Sequence, residues 1–359
     1  MIRWPWRQRG KQGPVADTEA PDAVVSRAQN FIRDHRYHEA IELLAGSLGD
    51  RQDMPSERLL AECRYLAYAT EPPKSEVTDP WADSVPDPFA GVDGIPELAA
   101  HELDTPKLVA GIRRHGALLV RGLLEMDVAE QLAKGIRRAI DDCMDWHNRG
   151  GGEPVSPWYA RLPLREDCAL APDTRYWIEG AGGVWTADSP RLLNEIIRLF
   201  ERSGVIDVIG GYFGERPMLT VGKSTLRCVP ASQGEADWHQ DGAFMGEDVR
   251  SVNLWLSLSH CGEDAAGLEL VPRRLTRVLP TGTHGANFGW SVGPGMVQEA
   301  AEGMATVSPR FAPGDALLFD HLFLHRTGVP AGISKDRYAI ESWFFAPSAY
   351  PAQQVPLRL

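Results

Sequence analysis

Cysteine is scarce in this sequence, and long apolar runs are missing. The 359 residues include five cysteines, which are scattered, odd in number and without a C-x-x-C pair. This pattern argues against a disulfide framework or a zinc ribbon and favours a reducing compartment. No apolar run reaches the roughly 18–20 residues that span a bilayer, and the basic first residues lack the apolar stretch of a secretory signal. The sequence therefore predicts a cytoplasmic protein without a membrane span.

Positive charge is also in short supply. Lys and Arg number 37 against 49 Asp and Glu, which gives a net charge of −12. Because an acidic surface repels phosphate backbones, we expect no nucleic-acid partner. The chain has no G-x-G-x-x-G after a strand, no Walker loop and no G-x-S-x-G elbow, so no common nucleotide or serine-hydrolase motif is present. What remains is a globular composition, 43% hydrophobic and 24% charged, in a chain long enough to bury a core.

Changes in composition divide the chain into five regions. Residues 1–22 are predicted to form a disordered basic tail, and residues 23–70 carry apolar residues at helical spacing. This helical extension resembles part of a tetratricopeptide unit, and two interpretations stay open: it packs on the main domain, or it docks a protein partner. Residues 71–97 are rich in proline and predict a linker. Residues 98–351 form the main predicted domain, and residues 352–359 form a C-terminal tail.

The main domain changes character halfway along. Helices are predicted first, including a long amphipathic helix that begins near Asp127 and runs toward Trp146. After Pro217 the sequence becomes a series of short β-rich runs separated by Gly, Pro and Asp. Many short strands after an α-rich half predict an α+β fold, in which helices pack outside an antiparallel sandwich or barrel.

A candidate metal site lies in the strand-like segment W-H-Q-D-G. His239 and Asp241 are two residues apart and therefore project from the same face of a strand. A facial triad of two histidines and one carboxylate needs one more imidazole from a distant strand. His321 and His325 both follow a Gly-Asp turn and strand, and strand parity does not choose between them. We favour His325, because it precedes a Gly-bearing turn where a ligand can reach a barrel mouth.

Candidate cosubstrate residues surround this pattern. Arg337 lies twelve residues past His325 and opens the strand R-Y-A-I-E-S-W-F-F. A guanidinium inside an apolar barrel is costly unless paired, and a dicarboxylate cosubstrate would pair it bidentately. The alternative is a rim arginine bonded to an aspartate. Lys223, Thr225 and Arg227 alternate along a predicted strand and could assist cosubstrate binding, although a solvent face alternates in the same way.

Four further residues are weaker candidates for substrate contact. Asn253 and Trp255 share one face of the strand S-V-N-L-W-L-S-L-S, where they line either the core or a substrate wall. Arg273 and Arg274 belong to a local basic cluster in an acidic protein. This cluster is either a solvated turn or a pocket rim that attracts a carboxylate or phosphate group of the substrate.

The order of these residues resembles a known family. An H-x-D pair, a distal histidine after a Gly-Asp strand and an arginine a dozen residues further on are similar to the phytanoyl-CoA dioxygenase-like branch of the Fe(II)/2-oxoglutarate-dependent oxygenases. The likeness covers roughly residues 98–351 and implies a double-stranded β-helix, of the jelly-roll or cupin-like kind, with flanking helices. It implies that His239, Asp241 and His325 bind Fe(II). It also implies that Arg337 binds 2-oxoglutarate and that O2 is consumed.

The resemblance also shapes the functional hypothesis. Related halogenases lack the carboxylate, so the presence of Asp241 favours hydroxylation over halogenation, with release of succinate and CO2. We expect a small-molecule substrate, anionic or carrier-bound. Two alternatives stay open. One is a metal-binding barrel without turnover, in a scaffold whose N-terminal helices dock a partner. The other is a cupin-like enzyme that needs no 2-oxoglutarate and would not require Arg337.

Overall fold

The computed structural model describes residues 20–49, 51–70, 79–82, 85–165, 174–232 and 234–359. Most of the predicted basic tail at 1–22, and residues 71–78 of the predicted linker, lie outside these ranges. Within them, none of the helices combines the length and the apolar character needed to cross a bilayer.

Helices occupy the first part of the chain and strands most of the second. Helices α1–α10 span Pro21–Arg33, Tyr37–Leu48, Met54–Leu66, Thr105–Ala110, Met126–Asn148, Arg175–Gly180, Pro190–Arg202, Val205–Phe213, Gly242–Met245 and Pro294–Ala301. Strands β1–β11 span Glu97–Ala99, Ala117–Arg121, Gly183–Trp185, Met218–Thr220, Thr225–Val229, Ser251–Ser257, Gly267–Leu270, Ala316–Phe319, His325–Gly328, Arg337–Phe345 and Pro356–Arg358. The predicted mixture of helices and strands, with helices at the N-terminal side, is confirmed.

The first three helices pack on one another, and the third packs on helix α7. Glu57 of α3 is buried and ion-paired with Arg191 of α7, with 3.0 Å between Oε1 and Nε. The Nδ2 of Asn194 donates to the carbonyl of Glu57 over 3.0 Å. Arg64 of α3 donates to the carbonyl of Arg358 in β11 over 2.8 Å. Helices α1–α3 are therefore joined to the rest of the chain by buried polar contacts as well as apolar ones.

A large sheet organises the main domain. Its order is β1-β2-β8-β6-β10-β4-β11, and β5 pairs with β10 beside β4 and carries β3 on its other edge. The β1–β2 pair is parallel and the others are antiparallel. Side chains alternate across this sheet, so the face with Leu254 and Leu256 packs against the helices. The opposite face carries Trp255 and Trp343.

A second, two-stranded sheet covers that opposite face. Strands β7 and β9 pair antiparallel, with Leu270 opposite His325. Leu268 and Leu270 belong to the same buried cluster as Trp255 and Phe319 of the large sheet. The two sheets therefore enclose a common interior, and His325 enters it from the end of β9.

The predicted Gly-Asp turn before β8 has a clear structural role. Gly314 has a φ of +95°, and a Cβ atom there would lie 2.0 Å from the carbonyl oxygen of Leu124. Only glycine accepts this backbone without strain. The Asp315 carboxylate then accepts bonds from the backbone N–H groups of Gly122 and Ala312, each over 2.9 Å. The turn thus fixes where β8 begins and where the segment leading to His325 starts.

Candidate metal and cosubstrate site

Two histidines are held side by side by the main chain. The N–H of His239 donates to the carbonyl of His325 over 3.0 Å, and the N–H of His325 donates back over 3.1 Å. Each ring also places Nδ1 3.0 Å from the carbonyl two residues earlier, that of Asp237 or Phe323. Because a carbonyl can only accept, Nδ1 carries the proton in both rings. Each Nε2 is therefore left with a lone pair for a metal ion.

Asp241 completes the group. One carboxylate oxygen lies 3.8 Å from Nε2 of His325, and the ligand atoms of His239, Asp241 and His325 all lie within 4.8 Å of one another. Two imidazole nitrogens and one carboxylate oxygen form the donor set typical of non-haem Fe(II) sites. The residues present therefore fit the metal that the sequence analysis expects.

Burial and neighbouring charges set the protonation state of this group. Burial alone would raise the pKa of Asp241, but Lys223, His239 and His325 hold it at about 2. Burial, together with the neighbouring His239, lowers the pKa of His325 to about 4. At neutral pH the site therefore presents an ionised carboxylate and a neutral His325 imidazole, the forms that a divalent cation binds.

His321 is not part of this group. Its Nδ1 lies 2.9 Å from Oγ of Ser251, and its Nε2 lies 3.1 Å from the carbonyl of Glu247. Both ring nitrogens are engaged, and burial lowers the pKa of the ring. Of the two histidines that strand parity left open, the structure brings His325 to the candidate metal site.

Lys223 lies beside the candidate ligands, although it is not in a strand. It occupies the turn before β5, and its Nζ is 3.0 Å from Oδ1 of Asp241. The sequence analysis expects Lys223 on a strand in alternation with Thr225, but the chain turns at Lys223 and β5 begins only at Thr225. Thr225 does lie in β5, opposite Glu341, and its hydroxyl donates to that carboxylate over 3.1 Å. Two of the three predicted cosubstrate residues, Lys223 and Thr225, therefore have acidic partners.

Arg337 is a cation buried in the interior of the main domain. This residue is 1% exposed, and one terminal nitrogen of its guanidinium donates to the carbonyl of Gly267 over 3.1 Å. Its guanidinium carbon lies 5.6 Å from the ring centroid of Trp255. Its Nε has no partner within the described part of the chain. Burial, and then the charge of Arg227, lower the pKa of Arg337 to about 10.

A second arginine shares this face. Arg227 lies opposite Ala339 in the β5–β10 pair, which places it on the same face as Arg337. Its Nε is buried and unpaired among the described residues. A buried guanidinium with an unpartnered N–H group is costly, so Arg337, with the half-buried Arg227 on the same face, indicates a place for an anionic ligand. The alternation with Thr225 is the sequence signal for Arg227.

The remaining predicted residues divide into two groups. Asn253 and Trp255 are buried on the inner face of β6, and Oδ1 of the first and Nε1 of the second lack partners in the described residues. Arg273 forms an ion pair with Glu302, and Arg274 forms one with the buried Asp320. Asn253 and Trp255 therefore keep polar atoms free inside the site, whereas both arginines are already neutralised.

Three aromatic residues near the candidate metal site have no counterpart in the sequence prediction. Trp290 makes an edge contact with His239, at 6.2 Å between ring centroids. Phe244 lies 5.9 Å from Trp290, and Phe288 stacks on Trp290 at 5.5 Å. Phe288 and Trp290 belong to an irregular segment with glycines on either side, where no periodicity marks a shared face.

A second group of metal-type side chains lies elsewhere, between α5 and α6. Cys143, His147 and Glu179 also bring their ligand atoms within 4.8 Å of one another. Here Glu179 already bonds His147, Arg161 and the hydroxyl of Tyr159. The neighbouring guanidinium opposes a further cation, so we interpret this group as a hydrogen-bonded network that joins the two helices.

Comparisons with known proteins give one family match and several similar solved structures. The family model described as phytanoyl-CoA dioxygenase matches residues 112–329. Among solved structures, EctD from S. alaskensis with 2-oxoglutarate and 5-hydroxyectoine is 18% identical, with a TM-score of 0.45, covering 66% of this chain and 74% of that one. AviO1 from Streptomyces viridochromogenes Tue57 is 20% identical, with a TM-score of 0.43, covering 69% and 98%. No curated protein matches the chain.

The chain belongs to the phytanoyl-CoA dioxygenase family, because the family model matches more than half of its length. The family prediction is therefore confirmed. So is the coarser functional prediction: the protein is an iron- and 2-oxoglutarate-dependent oxygenase, with iron, 2-oxoglutarate and O2 as its cofactor and cosubstrates.

Proposed function

We propose that this protein hydroxylates a small organic molecule, with His239, Asp241 and His325 as the iron ligands. The observation that carries the proposal is the convergence of their ligand atoms within 4.8 Å, each Nδ1 being engaged by a backbone carbonyl. Iron, 2-oxoglutarate and O2, when bound, supply the oxidising chemistry that inserts oxygen into a C–H bond. The chain itself provides fixed donors, a dry interior and the groups that orient the two organic molecules.

We assign Arg337 to the distal carboxylate of 2-oxoglutarate. Its unpartnered Nε and its burial support this role, because a carboxylate would neutralise the guanidinium and accept two of its N–H groups. Arg227 adds positive charge on the same face. Thr225, whose hydroxyl faces Glu341, can turn toward the cosubstrate, and Lys223 holds Asp241 ionised and oriented.

The apolar interior excludes water from the reacting atoms. Trp255, Phe319 and Trp343 are almost fully buried around the site. We propose that Asn253 and Trp255, with their free polar atoms, contact the substrate or cosubstrate from one wall. Arg273 and Arg274 are weaker candidates, because their acidic partners would have to be displaced by an anionic substrate.

The wider architecture follows from the same proposal. We infer that the two sheets form a double-stranded β-helix within a catalytic domain at residues 98–351. Helices of the 23–70 region serve as a structural extension, an assignment supported by the buried Glu57–Arg191 pair. We propose a cytoplasmic location because the cysteines are scattered and four of them are free and buried. A protein partner for the helices stays a prediction of their tetratricopeptide-like pattern.

Anaerobic titration of the purified protein with Fe(II) and 2-oxoglutarate tests the proposal. We expect both to bind, a weak visible absorption band to develop, and succinate to be released once oxygen is admitted. His325→Gln should remove iron binding, whereas the matched variant His321→Gln should retain it. Iron binding without 2-oxoglutarate binding would favour a cupin-like enzyme. Binding of both without succinate release across a metabolite panel would favour a scaffold.

A further inference from the structure

An aromatic rim, formed by Phe244, Phe288 and Trp290, stands next to the candidate metal ligand His239. The planes of Phe288 and Trp290 differ by 6°, with 5.5 Å between centroids, and Phe244 is inclined by 47° to Trp290. Trp290 contacts the ring of His239 edge-on at 6.2 Å. The three rings thus form a continuous aromatic wall that reaches the metal site.

The three rings remain partly exposed to solvent, although the protein has an apolar interior that could bury them. The exposed fractions are 44% for Phe244, 54% for Phe288 and 41% for Trp290. Large aromatic side chains that remain exposed together in a cluster usually mark a binding surface. Their position beside His239 indicates that what they bind reaches the metal site.

The segment that carries two of the rings is well anchored. Ser291, between Trp290 and Val292, is fully buried, and its Oγ accepts from the N–H of Phe288 over 3.1 Å. The N–H of Val292 donates to the carbonyl of Trp238, the residue before His239, over 2.8 Å. The anchored backbone therefore holds Phe288 and Trp290 at the surface, and the same hydrogen bonds fix the distance of this segment from His239.

We propose that the substrate carries a flat, apolar ring system that lies against the aromatic rim. The inference rests on the proposed function, because it places the ring system where an oxygenase must hold its substrate. Planar rings gain most from aromatic contacts at centroid separations of about 4.5–7 Å, and the exposed parts of the three rim rings are free to make such contacts. Saturated, puckered molecules of the same size match this wall less well.

Binding of two matched probes tests the inference. The probes are 2-naphthol, which is flat, and decahydro-2-naphthol, which has the same carbon skeleton but is saturated. Isothermal titration of the metal-free protein should give an affinity for 2-naphthol at least tenfold higher. Trp290→Ala and Phe244→Ala should each weaken 2-naphthol binding about tenfold or more, and Trp290→Phe should restore most of it. The control is Trp177→Ala, which removes a ring that is 74% exposed and contacts Tyr176.

The outcomes separate this inference from the proposed function. Equal affinity for the two probes, or unchanged 2-naphthol binding in both alanine variants, would overturn the flat-ring assignment. Thermal unfolding of each variant checks that the fold is kept, and Phe288→Ala provides a third variant at a more exposed ring. Iron and 2-oxoglutarate titrations on the same wild-type sample report the proposed function separately. Failure there, with Trp290-dependent probe binding intact, would remove the assigned iron site and leave the ring-binding surface.

Discussion

Replacing Arg337 by methionine should have opposite effects on the ligand-free and the cosubstrate-bound protein. The pKa of Arg337, about 10, lies about 2.5 below the ordinary arginine value, which corresponds to roughly 3 kcal/mol by which folding disfavours the charge. In the methionine variant, loss of the hydrogen bond to the Gly267 carbonyl offsets about 1 kcal/mol of the stability gained by removing the charge. Methionine fills similar volume without charge, so the ligand-free variant should be about 2 kcal/mol more stable.

Binding of 2-oxoglutarate should change in the other direction. Removing one partner of a buried, hydrogen-bonded charge pair costs about 2–5 kcal/mol, which weakens the affinity by roughly 30-fold to several thousandfold. Anaerobic calorimetric titration of Arg337→Met and wild type with 2-oxoglutarate in the presence of Mn(II) measures this loss. Urea unfolding of the ligand-free proteins measures the gain in stability.

A matched control separates the inner arginine from arginines in general. Arg326 of β9 is partly exposed and forms ion pairs with Glu235 and Glu269. Arg326→Met should therefore lower stability slightly and leave 2-oxoglutarate affinity unchanged. If Arg337→Met binds 2-oxoglutarate as tightly as wild type, the role assigned to this guanidinium is wrong. If the ligand-free variant is destabilised, the argument that burial disfavours the charge of Arg337 is wrong.

Three further predictions concern stability. As pH falls from about 6.5 to about 4, the unfolded chain binds a proton at His325 that the folded, metal-free protein does not. This group should therefore lower the free energy of unfolding by up to about 3 kcal/mol over that range. Urea unfolding of His325→Gln should lack this loss. Gly314→Ala should lower the free energy of unfolding by about 2–4 kcal/mol, because the added Cβ would clash with the backbone. Gly332→Ala has a similar φ of +82° but open space around it and should lower it by about 1 kcal/mol. Equal losses in the two variants would refute the clash. Asp188→Ala should cost about 3–5 kcal/mol, because Arg175 loses a buried carboxylate at 2.7 Å; thermal unfolding within a degree of wild type would contradict this.

Sequence reasoning worked best where local periodicity carries the information. The two-residue spacing grouped His239 with Asp241 correctly, but the expected strand was wrong: His239 forms only an isolated bridge, and Asp241 has helical backbone just before α9. The Gly-Asp pair was enough to locate the turn before β8. The long amphipathic helix predicted from Asp127 toward Trp146 corresponds to α5 at Met126–Asn148. These features depend on residues close together in the chain, so the sequence alone contains the necessary signal.

Other features depend on partners that the sequence does not place. His321 and His325 are four residues apart, so strand parity cannot tell which of them binds the metal. What distinguishes them is that His321 is hydrogen-bonded to Ser251 and Glu247, which come from another part of the chain. Lys223 was expected in a strand but lies in a turn, where its reach to Asp241 depends on the fold. The aromatic rim escaped prediction because its members come from a short helix and an irregular segment.

The paired backbone bonds between His239 and His325 bear on how this enzyme is assembled in a cell. Main-chain hydrogen bonds and the contact of each Nδ1 with a backbone carbonyl hold the two imidazoles adjacent without a metal ion, so we expect the polypeptide to fold before iron binds. On this reasoning iron loading is the last step of maturation, and we expect iron to be removed and rebound without unfolding of the chain.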